Sequence, residues 1–452
     1  MENFLKIVDK YQDLILSAEK YIWENPESGY KEYKTNAYMI ENFTKLGYTV
    51  NRAKDITGFT AELDTGREGP TVMVLAELDS LINKTHPDCD KVTGAVHSCG
   101  HNAQCAAMLG LAASLTEKSV KEKLCGKVVL CVVPAEEGIE IAYRQSLMEK
   151  GIIEFATGKP EFIKRGYLNG VDIALMVHSH SNSESEKGNR FLLGTGSNGN
   201  VRKFTEFIGV SAHAGSNPHD GVNALNVASS AITTVNSLRE TFKEEDRIRF
   251  HSVITKGGDA VNAVPDSVTM ESYVRASSAK ALKDANQKIN RAISAVAAAY
   301  GANVRIKDVA GSVALNDDPT LNEVAKELLT EWIGEGSFGR REFLASSTDM
   351  GDVSAIVPSI HAYACGCSGT LHGKDFKIAD PKAVCVDSAK FQLGMLYKLL
   401  SNGGKCAKKV IENFKPVFNS IEEFLEHKRS FTINKKTVTY NDNGSVTLDF
   451  SR

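Results

Sequence analysis

Cys99 and His101 stand two residues apart in His97-Ser98-Cys99-Gly100-His101-Asn102, between a glycine-containing loop and an alanine-rich run from Ala103 to Leu115. A thiol and an imidazole so spaced at a loop-to-helix junction can reach one metal ion. Further donors punctuate the chain. Asp79 closes TVMVLAELD, Glu136 and Glu137 follow KVVLCVVPA, His178 and His180 follow VDIALMV, and His372 stands in GTLHG. Thiolate, imidazole and carboxylate together suit zinc first, then manganese or cobalt, rather than calcium or magnesium. More than four donors exceed one tetrahedral shell. The expectation is two divalent metal ions roughly 3.5–4 Å apart that share a bridging ligand, polarise a carbonyl and acidify a water. Side chains of adjacent residues at a strand mouth diverge, so one of Glu136 and Glu137 can bind metal while the other serves as general base. Each piece alone is a weak signal, because an adjacent glutamate pair is most often solvated surface.

The elements that must hold these residues raise their joint weight. Thr71–Leu78, Lys127–Pro134 and Val171–Val177 are nearly continuous apolar runs, as expected of strands buried on both faces. Helix-like sequence separates them, which implies βαβ units and a mainly parallel sheet. Each run ends in metal-competent residues, and in open α/β sheets sites form at the carboxyl ends of the strands. After Gly199 the pattern changes. VRKFTEFIGVSAHA alternates as a strand, Asp220–Phe242 reads as a helix, RIRFHSVITKGG and SVTMESYVRA read as strands, Lys280–Tyr300 as a helix and NVRIKDVA as a last strand. That order is a split βαβ, expected as a separate domain inserted into the first. The fold class is therefore α/β, a mainly parallel-sheet catalytic domain (1–200 plus 313–400) with an inserted split-βαβ domain (201–312). A further segment, 401–452, carries a helix near Ser420–His427 and a hairpin signal at Asn443-Gly444.

Composition narrows the class. The chain has 452 residues, 42% hydrophobic and 24% charged, with net charge −3. These are the proportions of a globular protein of more than one domain, and no basic block favours nucleic acid. The N-terminus lacks the apolar core of a signal peptide and no run is long and apolar enough for a membrane span, so a cytoplasmic location is expected. Nine cysteines, an odd number without a matching spacing, read as free thiols of a reducing compartment. Apart from Cys99 they are expected to be packing residues.

The motifs ELD, HSCGHN, PAEEG, GVSAHAGSNPHDGVNAL, GGDAVNAVPD, STDMGDVS and LHGKDF occur in this order. In that order they resemble the co-catalytic dinuclear metallopeptidase–amidohydrolase family. That family includes aminoacylases, carboxypeptidase G-type enzymes and auxin-conjugate amidohydrolases, and the motifs are most similar to p-aminobenzoyl-glutamate hydrolase-like members. The resemblance covers about residues 1–400.

By that resemblance, Cys99 bridges two metals, and His101, Glu137, His178 and His372 complete their shells. Glu136 is the general base and Asp79 supports a ligand. The inserted domain is a lid and homodimerisation domain, in which His213, Asn262 and Arg275 bind substrate. The expected substrate is a small amide: an N-acyl amino acid, a p-aminobenzoyl-glutamate-like conjugate or a small peptide. A dipeptidase or carboxypeptidase acting on free peptides is the alternative enzyme, and a catalytically silent peptide-binding homologue is the alternative outside enzymes. The chain departs from the usual family pattern after the glutamate pair, where only Gly138 precedes IEIAYRQSLMEKG, and at Val177-His178-Ser179-His180, where a His-Pro is usual.

Overall fold

A computed structural model describes residues 1–183 and 186–450. The chain divides into two compact units. The first comprises Met1–Gly196, Asn316–Phe343 and Asp352–Ile421; the second comprises Ser197–Leu315, Leu344–Gly351 and Glu422–Arg452.

The first unit is built on a sheet of nine strands among the described residues. Its order is Val50–Arg52, Phe59–Asp64, Lys127–Val133, Thr71–Glu77, Ile173–Ser181, Ser359–Ser368, Phe191–Leu193 and Phe338–Arg340, with Lys377–Ile378 paired to Ser359–Ser368. The three apolar runs are its centre, and Thr71–Glu77 lies parallel to both Lys127–Val133 and Ile173–Ser181. Ser359–Ser368 continues the parallel run beside Ile173–Ser181. The helix His101–Thr116 packs on this sheet with every residue from His101 to Leu115 buried. Five alanines and Gly110 are spread along it, so it can approach its neighbours closely. At Gly110 an added Cβ would lie 2.3 Å from Ile15. The amphipathic helices Gln12–Trp23 and Asp387–Leu400 pack against it.

The second unit is a five-stranded antiparallel sheet in the order Arg249–Lys256, Ser267–Ala276, Gly199–Ile208, Asn303–Ala310 and Ile433–Lys436. Helices Ala224–Ser237 and Ala279–Ala299 bury their apolar faces against one another and the sheet. The strand expected through Ala214 ends at Ile208, because beyond Gly209 the chain leaves the sheet and Val210 pairs with Val222, each N–H donating to the other's carbonyl at 2.9 Å. The helix expected over Asp220–Phe242 is confined to Ala224–Ser237. Asn223 caps its start by accepting the Leu225 and Asn226 N–H groups, and short 3-10 turns flank it. The tail is shared between the units. Its Ile433–Lys436 strand pairs with Asn303–Ala310, and Phe431 and Val438 join the core of the second unit. All nine cysteines are free, and only Cys406 is not fully buried. Among the described residues no helix is long and apolar enough to cross a membrane.

Candidate metal centre

The carboxyl ends of the three central strands bring their polar residues to one place. Gly100 makes the turn that joins them to the buried helix. Its φ is +82°, and an added Cβ would lie 2.0 Å from Ser179 Oγ, so the backbone conformation and the space both require glycine. Cys99 and His101 flank that turn. A second tight turn sets the glutamates. Ala135 has φ +56°, rare for a residue with a side chain, and is held on both sides. Its N–H donates to the buried carboxylate of Glu32 at 2.8 Å, and its carbonyl accepts the Gly158 N–H at 3.1 Å. Burial and the nearby Asp79 push the Glu32 carboxyl up to about 8.

Among the described residues three groups of donor atoms result, the atoms of each within 4.8 Å of one another: Cys99, His101 and His178; Cys99, Glu137 and His372; Glu77, His101 and Glu136. Cys99 belongs to the first two. Its Sγ lies 3.4 Å from His178 Nε2 and 3.4 Å from His372 Nε2. His372 Nε2 is also 3.4 Å from Glu137 Oε1. His372 itself has φ +64°, and its N–H donates to the Ser98 carbonyl at 2.9 Å, which ties its loop to the Cys99 turn.

Each imidazole is oriented through its other nitrogen. His101 Nδ1 lies 2.9 Å from the Asp79 carbonyl oxygen and 3.3 Å from Asp79 Oδ1, leaving Nε2 toward the cluster. His178 Nδ1 faces the Ser179 carbonyl at 2.8 Å, which leaves Nε2 toward Cys99. Such support of a ligand's far nitrogen selects its tautomer and raises its basicity. Asp79 also accepts the Glu137 N–H at 2.9 Å, so one carboxylate orients two donors. His180, the alternative to His178, instead pairs with Glu186 Oε2 at 3.1 Å. His97 is fully buried with neither ring nitrogen hydrogen-bonded.

The residues fit divalent cations. His101 Nε2 and Glu137 Oε1 are buried without a hydrogen bond, although buried polar atoms are nearly always satisfied. Without a cation the site is electrostatically frustrated. Burial and the Glu137 charge hold the Cys99 thiol well above its ordinary pKa, where it cannot act as a thiolate. Burial opposes charge on His101, but Glu77, Cys99 and Asp79 together outweigh it and raise the ring well above the usual histidine range. Burial and His101 push His178 down to about 4. A bound divalent cation reverses this logic, because it favours thiolate and neutral imidazole.

Two buried groups here were not singled out from sequence. Glu77 Oε2 lies 3.1 Å from His101 Nε2 and accepts Gln104 Nε2 at 2.8 Å, while its Oε1 pairs with the fully buried Lys159. Glu77 stands in the same Glu-Leu-Asp as Asp79, and a carboxylate ending an apolar strand is a signal that a partner is near. Lys159, in TGKPEF, follows no such pattern.

His213, Asn262 and Arg275 lie in the second unit. Two form a pair of neighbouring loops: His213 bridges Ala263, and the Ala214 N–H donates to the Asn262 carbonyl at 2.9 Å. Both are exposed. Arg275 lies on the Ser267–Ala276 strand, where Nη1 donates to Ser347 Oγ at 2.7 Å and the guanidinium stands 5.0 Å from the Tyr273 ring centre.

Residues 195–301 match the peptidase dimerisation domain of the M20 family. The chain thus carries an M20 peptidase dimerisation domain, and beyond it resembles M20 hydrolases in sequence and fold. The chain is 25% identical to thermostable carboxypeptidase 2 of Saccharolobus solfataricus, over 73% of this chain and 80% of that one. It is 28% identical to IAA-amino acid hydrolase ILR1-like 5 of Arabidopsis thaliana, over 68% of this chain and 66% of that one. In fold it matches an aminohydrolase of methicillin-resistant Staphylococcus aureus with a TM-score of 0.73 at 23% identity, covering 89% of this chain and 100% of that one. It also matches a dinuclear metal-binding M20 peptidase of Bacillus subtilis with a TM-score of 0.66 at 19% identity, covering 87% and 99%. The chain is a metal-dependent hydrolase acting on amide bonds.

Proposed function

We propose that this hydrolase cleaves the amide bond of an N-acyl amino acid, a p-aminobenzoyl-glutamate-like conjugate or a small peptide at a centre of two divalent metal ions, zinc first. The observation that carries the reading is Cys99, whose thiol is common to two donor groups and lies 3.4 Å from a histidine of each. In this reading Cys99 bridges, His101 and His178 serve one ion, and Glu137 and His372 serve the other. Two such ions would polarise the amide carbonyl and lower the pKa of a water.

The protein's own groups do the rest. Asp79 holds His101 and the Glu137 backbone in place. Glu136, next to Glu137 yet grouped with His101 and Glu77, takes a proton from the attacking water and returns it to the leaving amine. His213 steadies the developing oxyanion, and Asn262 and Arg275 bind the substrate carboxylate, for which the planar guanidinium is suited. The second unit carries the homodimer contact, and the enzyme works in the cytoplasm.

The test combines metal analysis with a hydrolysis screen on N-acyl amino acids, free dipeptides and p-aminobenzoyl-glutamate. Two ions per chain and turnover of a blocked amide are expected. Turnover of free dipeptides alone would make the enzyme a dipeptidase. Metal-replete protein inert toward every substrate would overturn the catalytic reading in favour of a binding role.

A further inference from the structure

The first unit contains a cavity of about 480 Å³, lined by none of the candidate metal ligands, between the Pro319–Ile333 helix, the strand Phe191–Leu193 and the edge strand Phe338–Arg340. That volume is in the range of small-molecule sites.

Its wall holds two buried acceptors that lack donors. Asp317 is 7% exposed; its Oδ1 accepts the His361 N–H at 2.6 Å, and its Oδ2 is buried with no hydrogen-bond partner. Asn322 donates its Nδ2 to the Gly194 carbonyl at 3.1 Å, and its Oδ1 is likewise buried and unpartnered. Gly194 makes room for this arrangement, since an added Cβ would lie 2.5 Å from Asp317 Oδ2. A buried carboxylate oxygen and amide oxygen without donors are costly, and a cationic N–H donor relieves both. Burial without a compensating cation pushes the Asp317 carboxyl up to about 7. The same cavity wall carries Lys326 and Arg340, both exposed and, among the described residues, in no ion pair, together with the apolar Leu193 and Phe338.

We propose that this cavity binds a free α-amino acid, its ammonium group on Asp317 Oδ2 and Asn322 Oδ1, its carboxylate on Lys326 or Arg340, and its side chain against Leu193 and Phe338. Buried acceptors, exposed cations and an apolar wall in one cavity match the three parts of that ligand. The site also has a structural link to the candidate metal centre. Asp317 anchors the backbone of His361, and the His361 ring is 5.7 Å from that of His178. If the enzyme releases an amino acid, as its proposed function holds, this site senses its own product. That consequence rests on the amide-hydrolase reading, whereas the binding itself does not.

The experiment is isothermal titration of the full-length, metal-replete protein with the free amino acids, their N-acetyl derivatives and their amides. At least one free amino acid is expected to bind, with N-acetylation or Asp317→Asn weakening it at least about tenfold, the worth of one charged hydrogen bond. The amide introduced by Asp317→Asn can still accept the His361 N–H, and Asn322→Leu and Lys326→Glu provide independent variants should Asp317→Asn misfold. Cys99→Ser should leave the binding intact, which separates this site from product bound at the metal centre. Absence of binding by every free amino acid at millimolar concentration, or binding indifferent to Asp317→Asn, Asn322→Leu and Lys326→Glu, overturns the proposal. Failure of the hydrolase reading would show separately, as absent turnover with this binding retained.

Discussion

Lys159 and Glu77 form an ion pair in which each residue is only 1% exposed, and the other Glu77 oxygen lies 3.1 Å from His101 Nε2. The ammonium thus neutralises a carboxylate that stands against a candidate metal ligand. Burial opposes the charge on Glu77, but Lys159, His101 and His178 together outweigh it and hold the carboxyl well below the usual carboxylate range. Lys159→Met should therefore cost about 3–5 kcal/mol of stability, because it strands a buried charge. Urea unfolding checks this, and the double variant Lys159→Met/Glu77→Gln should regain part of the loss. An unchanged midpoint in the single variant would remove Lys159 from the architecture of the site.

Glu136→Gln should reduce kcat about 10²–10⁴-fold, the usual worth of a positioned general base. Metal content measured by elemental analysis should stay at the wild-type level. Retained turnover would strip Glu136 of that role.

Cys99→Ser should lower the occupancy of both metal positions together, since the thiol belongs to two donor groups. Elemental analysis across a chelator titration reads the outcome. Loss of one ion alone would mean that another residue is the bridge.

Asp317 carries a pH signature. Its folded pKa, about 7, lies above its ordinary value of 3.8, so the folded state binds the proton more tightly. The resulting stabilisation is complete below about pH 4 and is lost as the pH rises to about 7, because the unfolded chain is already deprotonated in that window. Asp317→Asn does not titrate, so it should gain stability relative to wild type as pH rises from 4 to 7, by a few kcal/mol on the order-of-magnitude scale of such shifts. Thermal unfolding at a series of pH values checks this, and parallel curves for the two proteins would contradict it.

The tail should matter to the second unit. Val438 is buried in its core, its carbonyl accepts Asn303 Nδ2 at 2.7 Å, and Thr437 Oγ1 pairs with Ser294 Oγ at 2.7 Å. Val438→Ala removes two buried carbons and should cost roughly 1.5 kcal/mol. Hydrogen exchange should report faster opening along Asn303–Ala310, and unaltered protection there would make the tail a passive cover.

The sheet of the first unit was legible because its strands are buried on both faces, and burial on both faces leaves continuous apolar runs. The split βαβ was legible because its strands alternate and its helices carry one apolar stripe. The helix His101–Thr116 is the opposite case, buried all round, and its alanines reveal close packing without saying against what. Local chemistry moved two boundaries. Val210 turns from the sheet to pair with Val222, which ends a strand, and Asn223 starts a helix later than its apolar pattern suggests.

At the site, sequence alone determined the donor types and their places at strand ends. It could not choose between His178 and His180, because a period of two puts both on one face of a strand. Tertiary structure separated them by what each meets: Cys99 at 3.4 Å for His178, Glu186 at 3.1 Å for His180. It also decided that Glu77 has a counter-charge, supplied by Lys159, 82 positions further along the chain. Residue type and periodicity are local properties and survive in the sequence. Which charge neutralises which, and which oxygen is left without a donor at Asp317, depends on distances that exist only once the chain has packed.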